Sequence, residues 1–411
     1  MAQNGKRVLI VTQYFYPESF VINDFAAELV RRGYKLDALV GIPNYPEGHY
    51  FKGYGLFKKR KEVYNGVTIY RCFQTPRKLL PSLVGLSLNY LSYAFVASLW
   101  MLFFFAWKKK YNAIFAFEPS PITLIIPAIV LGKIRKTPVL SWITDIWPDS
   151  ITDSTTEKQN KILLPVLSAI TEWVYRNSDR ILISSKGMEE LVCRNADYHS
   201  KIEYFPNWCD DFSRMTIVDV PILPKGFNLM MAGSVNDGIG VDDVLKCAEL
   251  LADIEDLNFI FVGGGSKLDY LKQHIEEKKL TNVYALGRHP FSEMPAYYRQ
   301  ADAMLLTLMP TPHRHLDVTV PSRLQSYMSA GKPVFAMIGS GAASVIEESD
   351  CGFVAPAGNY KMLAQLIREN YKNSALLKQK GENARNAFLK HFTLKTGVDH
   401  FEELINSESV H

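Results

Sequence analysis

Along this chain short apolar runs alternate with amphipathic stretches of helical period, and the alternation begins twice. In the first half the apolar runs Val8–Thr12, Leu36–Val40, Val67–Cys72, Ala113–Phe117, Val139–Thr144 and Ile181–Ser184 read as strands. Ile22–Arg32, Ser87–Trp107, Glu157–Arg176 and Lys186–Arg194 read as helices between them. A stretch without helical period follows from Asp210 to Lys225, with Pro221 and Pro224 inside it. The pattern then restarts. Strands are expected at Phe227–Met231, Phe259–Val262, Val283–Leu286, Ala303–Leu306, Val334–Ala336 and Gly352–Val354. Helices are expected at Val241–Ala252 and Lys267–Lys278. Strands that alternate with helices predict an α/β protein with parallel sheets and crossover helices. Two doubly wound units result, and 411 residues leave room for two cores. Ligands of such sheets bind beyond the C-terminal strand ends, so the cleft between two sheets is the expected site.

Composition narrows the function classes. A formal charge of +4 is too small to argue for nucleic acid. The five cysteines, Cys72, Cys193, Cys209, Cys247 and Cys351, are scattered and form no CxxC pair, which reads as a reducing compartment without structural zinc. The start, Met-Ala-Gln-Asn-Gly-Lys-Arg before Val8–Thr12, has too short an apolar run for a signal peptide and reads as a first buried strand.

One segment points to chemistry. Val320 to Pro333 reads Val-Pro-Ser-Arg-Leu-Gln-Ser-Tyr-Met-Ser-Ala-Gly-Lys-Pro. Pro321 is expected as the first residue of a helix, with Ser322 and Arg323 in its first turn. Free N–H groups, a hydroxyl and a guanidinium would converge on an anion there, most often phosphate. An ordinary capped helix with a surface arginine is the alternative. Gly233-Ser234, directly after a strand, would let backbone approach a phosphate. Gly263-Gly264-Gly265 lacks a dinucleotide spacing and reads as a tight strand-to-helix turn.

Several blocks then carry a family resemblance: Tyr14-Phe15-Tyr16-Pro17-Glu18-Ser19-Phe20-Val21-Ile22-Asn23-Asp24, Pro43-Asn44-Tyr45-Pro46-Glu47-Gly48, Thr144-Asp145-Ile146-Trp147-Pro148-Asp149, Pro206-Asn207-Trp208-Cys209-Asp210, the Val320–Pro333 block and Asp350-Cys351-Gly352. In this order and spacing they resemble retaining glycosyltransferases of the GT-B type, family 4, of the bacterial surface-polysaccharide subgroup, and most of all L-fucosamine transferases. The resemblance implies two Rossmann-like domains facing across a cleft. The first, 1–212, would bind acceptor, with a C-terminal helix at about 390–411 packed back on it. The second, 225–389, would bind the donor. It implies transfer of a sugar, an N-acetylated amino sugar in this subgroup, from a UDP-sugar to a polyprenyl-diphosphate-linked sugar, on the cytoplasmic face of the cell membrane, in O-antigen, capsule or exopolysaccharide synthesis. It implies no cofactor and no metal. Gly233, Ser234, Arg288, Pro321, Ser322, Arg323, Ser326 and Tyr327 would hold the donor, with Arg323 stabilising the leaving diphosphate. Asp145 would orient or deprotonate the acceptor hydroxyl, or else cap the next helix. Glu18, Asn44 and Glu118 would line the acceptor side.

The chain departs from the family where two glutamates eight positions apart are usual: Val318 and Ser326 stand there. Asn236 and Asp237 replace the usual Arg and Lys after Gly233, which leaves the diphosphate to Arg323 and the helix end. His313 and His315 in Pro-His-Arg-His read as a solvated loop rather than a ligand pair. A UDP-sugar 2-epimerase and a non-catalytic nucleotide-sugar-binding scaffold are the rival readings. Finally, Leu79 to Trp107 holds no charged residue and runs into Lys108-Lys109-Lys110. It is either a buried crossover helix or an interfacial one, with the aromatics from Tyr90 to Trp107 in the lipid boundary and the lysines on anionic headgroups.

Overall fold

The computed structural model describes residues 5–80 and 82–407, so the ranges 1–212 and 390–411 reach past the described residues at their outer ends. The chain forms two compact units. One runs to Pro206 and takes back the chain from Gly397 onward; the other is Asn207–Thr396.

The first unit is built on eight strands: β1 (Arg7–Val11), β2 (Lys35–Val40), β3 (Lys61–Tyr64), β4 (Val67–Arg71), β5 (Ala113–Glu118), β6 (Val139–Ile143), β7 (Arg180–Ile183) and β8 (Ile202–Tyr204). Their order is β3-β4-β2-β1-β5-β6-β7-β8. All neighbours are parallel except β3 and β4. Val8, Leu9, Ile10 and Val11 are all fully buried, as expected of a strand covered on both faces. The order reverses between β1 and β5, which opens a crevice at their C-terminal ends. An aromatic core of Phe25, Phe115, Trp142 and Phe205 packs one face. The last helix, Leu394–Ser407, adds Phe401 to it, 5.1 Å from Phe115, and Arg32 binds its Asp399 and Glu402 at 2.6 and 2.9 Å.

Three elements of this unit escape the sequence reading. β3 and β4 form a hairpin whose turn is Asn65-Gly66, both at positive φ (45° and 81°). This is the dipeptide that suits a two-residue hairpin turn. The helix Ile126–Arg135 is hidden in a continuous apolar run. β8 has three residues. The expected helix Lys186–Arg194 shrinks to Met188–Val192.

The long apolar helix spans Ser82–Phe103 and is followed by a 3-10 turn, Phe105–Trp107. One narrow face is tied to the sheet. Tyr93 is fully buried and donates to the Thr12 carbonyl at 2.8 Å, and Asn89 accepts from Gln13 at 2.6 Å. Val84, Leu88, Leu91, Phe95, Leu102, Phe103 and Trp107 are exposed. A buried crossover helix is therefore not what forms. Among the described residues this is the one helix long and apolar enough to cross a membrane, and only 28% of its most apolar stretch is buried. Lys108 is not a free surface cation: its Nζ lies 3.6 Å from Asp37 and 3.7 Å over the Tyr70 ring. Lys109 and Lys110 are exposed.

The second unit carries six parallel strands: β9 (Phe227–Ala232), β10 (Leu257–Val262), β11 (Val283–Gly287), β12 (Ala303–Thr307), β13 (Val334–Ile338) and β14 (Gly352–Pro356). Their order is β11-β10-β9-β12-β13-β14. Successive residues serve opposite faces. Leu229 and Met231 join one core, and Met230 and Ala232 join the other. Here the reversal falls between β9 and β12, so the crevice opens just beyond Ala232.

Candidate functional site

Two clusters of polar side chains sit at the C-terminal strand ends, one in each unit. In the second unit, β9 hands over to Gly233, whose N–H bonds the Val262 carbonyl at 2.9 Å. The loop after β10 packs backbone on backbone against it. A Cβ on Gly263 would fall 1.8 Å from the Gly233 oxygen, and one on Gly265 would fall 2.1 Å from the Val235 oxygen. Only glycine fits either position. The triple glycine is thus a turn, as read, but it also forms a wall of the site.

The opposite wall is the helix Ser322–Ser329. Pro321 is extended (φ −69°, ψ 136°) and occupies the N-cap, so Ser322 rather than Pro321 is the first helical residue. The helix stops at Gly331, where φ is +68°. Tyr327 is fully buried. Its hydroxyl donates to the Ala232 carbonyl and accepts from the Ala232 N–H, both at 3.0 Å. It does not line the cavity; it pins the helix to the end of β9. Four residues earlier, Arg323 points outward. Its Nη2 donates to the Ser234 carbonyl at 3.3 Å, and its guanidinium lies 3.5 Å from where a Cβ on Gly233 would stand. Its Nη1 is buried without a hydrogen-bond partner among the described residues. A buried donor left unpaired costs about 1–3 kcal/mol, so the site favours an acceptor there.

Between these walls lies a cavity of about 810 Å³, lined by Gly233, Ser234, Gly263–Gly265, Arg288, Ser322, Arg323 and Ser326, and closed by Phe212, His289, Phe291 and Tyr298 among others. This is the size of a site for a small-molecule ligand. Of the expected donor residues, six meet at the cavity, while Pro321 and Tyr327 stand behind it. Ser326 donates to the Ser322 carbonyl at 3.3 Å. The aromatic wall was not legible in the sequence, because Phe212 lies about 80 residues before Phe291 and Tyr298, and only the fold brings them together.

Val318 is fully buried, and Asp317 beside it is already committed. Its carboxylate accepts from the Ser340 N–H at 3.2 Å and hydroxyl at 2.6 Å, and pairs with Arg314 at 2.8 Å. It caps the helix Ser340–Glu348. His315 is buried in the short helix Arg314–Asp317, contrary to the solvated loop expected for Pro-His-Arg-His.

In the first unit the loops after β1, β2, β5 and β6 converge. Glu18 is buried and ties two of them together. It accepts N–H bonds from Asn44 (2.8 Å), Tyr45 (2.7 Å) and Phe15 (3.4 Å). Burial pushes its pKa up to about 7, although these N–H groups and Arg71 favour the anion. Asn44 is fully buried, so neither residue offers an open face. Glu118, at the end of β5, is also fully buried, and both its oxygens lack a well-aligned partner among the described residues. Burial, and then the charge of Asp145, hold it well above the carboxylate range. Asp145 is half-buried just past β6. Tyr90 interacts with Asp145, Ser120 and Tyr14, and so links the Glu118–Asp145 pair to the loop that carries Glu18. Arg77 donates to the Tyr90 hydroxyl at 3.3 Å and lies 5.2 Å over the Tyr45 ring. Tyr90 and Arg77 are site residues that the sequence reading did not single out. A carboxyl held in its neutral form by burial beside a second, half-buried carboxyl suits an acid–base role.

Among the described residues the one grouping with metal-ligand spacing is Cys193, Asp197 and His199, whose ligand atoms lie within 4.8 Å of one another. It shares no residue with either cluster.

Comparison with known proteins bears on the fold and on the second unit. The family described as Glycosyl transferases group 1 matches residues 220–387. Sucrose-phosphate synthase from Thermosynechococcus elongatus superposes with a TM-score of 0.68 at 12% identity, over 98% of this chain and 99% of that one. Anabaena HepE in complex with UDP gives 0.63 at 16% identity, over 98% and 100%. The fold is GT-B. Residues 220–387 form a group 1 glycosyl transferase domain. A curated relative, the probable glycosyltransferase WbjE of Pseudomonas aeruginosa, is 25% identical over 236 residues. That match takes in 55% of this chain and spans 58% of the length of WbjE.

Proposed function

We propose that this chain is a glycosyltransferase that moves a sugar, with retention at the anomeric carbon, from a UDP-sugar held by the second unit to a polyprenyl-diphosphate-linked sugar held by the first. The observation that carries the reading is Arg323. It stands at the start of an eight-residue helix, with an unpartnered buried donor, facing a glycine wall at the switch point of the sheet. A diphosphate would supply the missing acceptor, and the helix end adds its own positive field. HepE, a protein of the same fold, was solved with UDP and with UDP-glucose, which supports a nucleotide-sugar for this cavity too.

In this reading Arg323, Ser322 and the first N–H groups of the helix stabilise charge on the departing diphosphate. Arg288 lies at the far side of the cavity, beyond β11, for the nucleobase. Asp145 orients or deprotonates the acceptor hydroxyl while Glu118 stays neutral behind it. Tyr327 acts through the position of its helix. Glu18 and Asn44 shape the acceptor loops rather than touch the sugar. The exposed apolar face of Ser82–Phe103, with Lys109 and Lys110, holds the protein on an anionic membrane surface, where such an acceptor resides. The subgroup resemblance adds an N-acetylated amino sugar, surface-polysaccharide assembly and the cytoplasmic side of the membrane.

Calorimetric titration with UDP, and transfer to a lipid-linked acceptor, test the proposal on Arg323→Ala. The variant should bind UDP more weakly and turn over about a hundredfold more slowly, the scale for one lost charge-stabilising donor. Unchanged UDP affinity would remove the diphosphate from this site.

A further inference from the structure

Besides the long apolar helix the first unit carries a second apolar feature. Ile126 and the helix Glu157–Asn177 enclose a groove of about 640 Å³, lined by Ile126, Pro165, Val166, Ala169, Ile170 and Trp173. Every lining side chain is apolar but for the indole N–H of Trp173, and Val166 and Trp173 are exposed. An open slot with this lining suits an apolar group more than a polar one.

Three observations say what fills it. The groove borders the helix Ile126–Arg135, which packs along the apolar helix Ser82–Phe103. Its rim carries a cation: Lys133 Nζ lies 5.5 Å over the Trp173 ring. It also lies close to the polar cluster. Glu118 and Ile126 are joined by a segment that is mostly tight 3-10 turn, Ile122–Ile125, so they lie within about 20 Å of each other. An apolar slot, a cationic rim and a nearby acid–base cluster match an amphiphile with a hydrocarbon chain, an anionic phosphate link and a hydroxylated head.

We propose that this groove binds the hydrocarbon chain of the lipid-linked acceptor, with Lys133 meeting its phosphate. The inference rests on the acceptor class given above and adds where the chain lies. It makes the protein a reader of chain length, since each methylene held in the slot adds apolar burial.

The test uses the full chain and n-alkyl phosphates below their micelle concentrations. Calorimetric affinity should tighten at least about tenfold from butyl to octyl phosphate, a partial share of full burial of the added methylenes. Ala169→Phe, which fills the slot, and Val166→Asp, which charges it, should each abolish that dependence; both positions are exposed. Thermal melting on the same samples shows that the variants are folded. No dependence on chain length in the wild type, or full dependence in both variants, overturns the proposal. So does release of Ala169→Phe from phosphatidylglycerol vesicles with alkyl phosphate binding intact, which would assign the groove to bilayer lipid. UDP titration is read in parallel: its failure strikes the proposed function, while the chain-length series judges the groove alone.

Discussion

Replacing Glu18 by glutamine should remove a large part of the pH dependence of stability from the first unit. Glu18 is 3% exposed, and its pKa is raised from the usual 4.5 to about 7, with burial as the first cause. The folded state therefore holds this proton more tightly than the unfolded chain. Stability from the neutral form is fully present below 4.5 and is lost as pH rises through about 7. Between about pH 5 and pH 8 the group alone takes away roughly 2–3 kcal/mol. Glutamine keeps an oxygen for the Asn44 and Tyr45 N–H groups but cannot ionise. Its amide NH2 faces the Phe15 N–H, a cost that does not change with pH. Urea unfolding followed by circular dichroism at the two pH values, on wild type and Glu18→Gln, isolates the term, because Glu118 and every other group titrate in both. The variant should gain roughly 2–3 kcal/mol on the wild type at pH 8 compared with pH 5. Parallel pH profiles for the two proteins would refute a neutral, burial-shifted Glu18.

Tyr327→Phe removes the hydroxyl that satisfies both backbone groups of Ala232, and should cost about 1–3 kcal/mol of stability by urea titration, with weaker UDP binding. Transfer activity should survive excess EDTA, since no Asp/His cluster with ligand spacing lies near the helix Ser322–Ser329 among the described residues; loss restored by Mg²⁺ would reject that reading. Lys109→Gln with Lys110→Gln should weaken binding to anionic liposomes by about 1 kcal/mol per lysine, an effect that fades with salt. Lys108→Gln should instead lower the melting temperature, because Lys108 is held by Asp37 and Tyr70.

The strands of both sheets were legible because parallel strands covered on both faces read as unbroken apolar runs bounded by turn residues. Val8–Val11 and Phe259–Val262 are such runs. The helix Ile126–Arg135 was hidden for a different reason: apolar residues fill its exposed and half-exposed positions as well, Ile126, Val130 and Ile134 among them, so the sequence shows no clear helical period. The Asn65-Gly66 hairpin was there to be read, but its outer strand, Lys61–Tyr64, is short and half polar. In the candidate site Gly233 and Arg323 were legible, since one follows a strand and the other opens a helix, whereas Gly263–Gly265 read only as a turn. Tyr327 was assigned to the wrong side. It lies four residues after Arg323, so sequence spacing puts both on one helical face. In the structure the first of the pair reaches the cavity while the second ends on Ala232. Which of two such residues meets the neighbouring strand is set by tertiary packing and leaves no local mark.

The missing glutamates have a structural reading of their own. The family resemblance places a carboxylate at 318, but this chain uses Val318 as core, and the Val318 carbonyl would lie 2.0 Å from a Cβ on Gly341. The adjoining Asp317 is spent on Ser340 and Arg314. At 326 a serine replaces a forked acceptor, and its hydroxyl is already turned to Ser322. A site built to bond a hydroxyl rejects sugars that lack it, because its own buried groups go unpaired; a site without such groups has no means of rejection there. On the proposed function, the carboxylate usual on this side of the cavity is absent, while the glycine wall and Arg323 remain to face the diphosphate. Choice among donor sugars would then rest on the rest of the lining, in which Phe212, Phe291 and Tyr298 stand beside Ser322, Ser326 and His289.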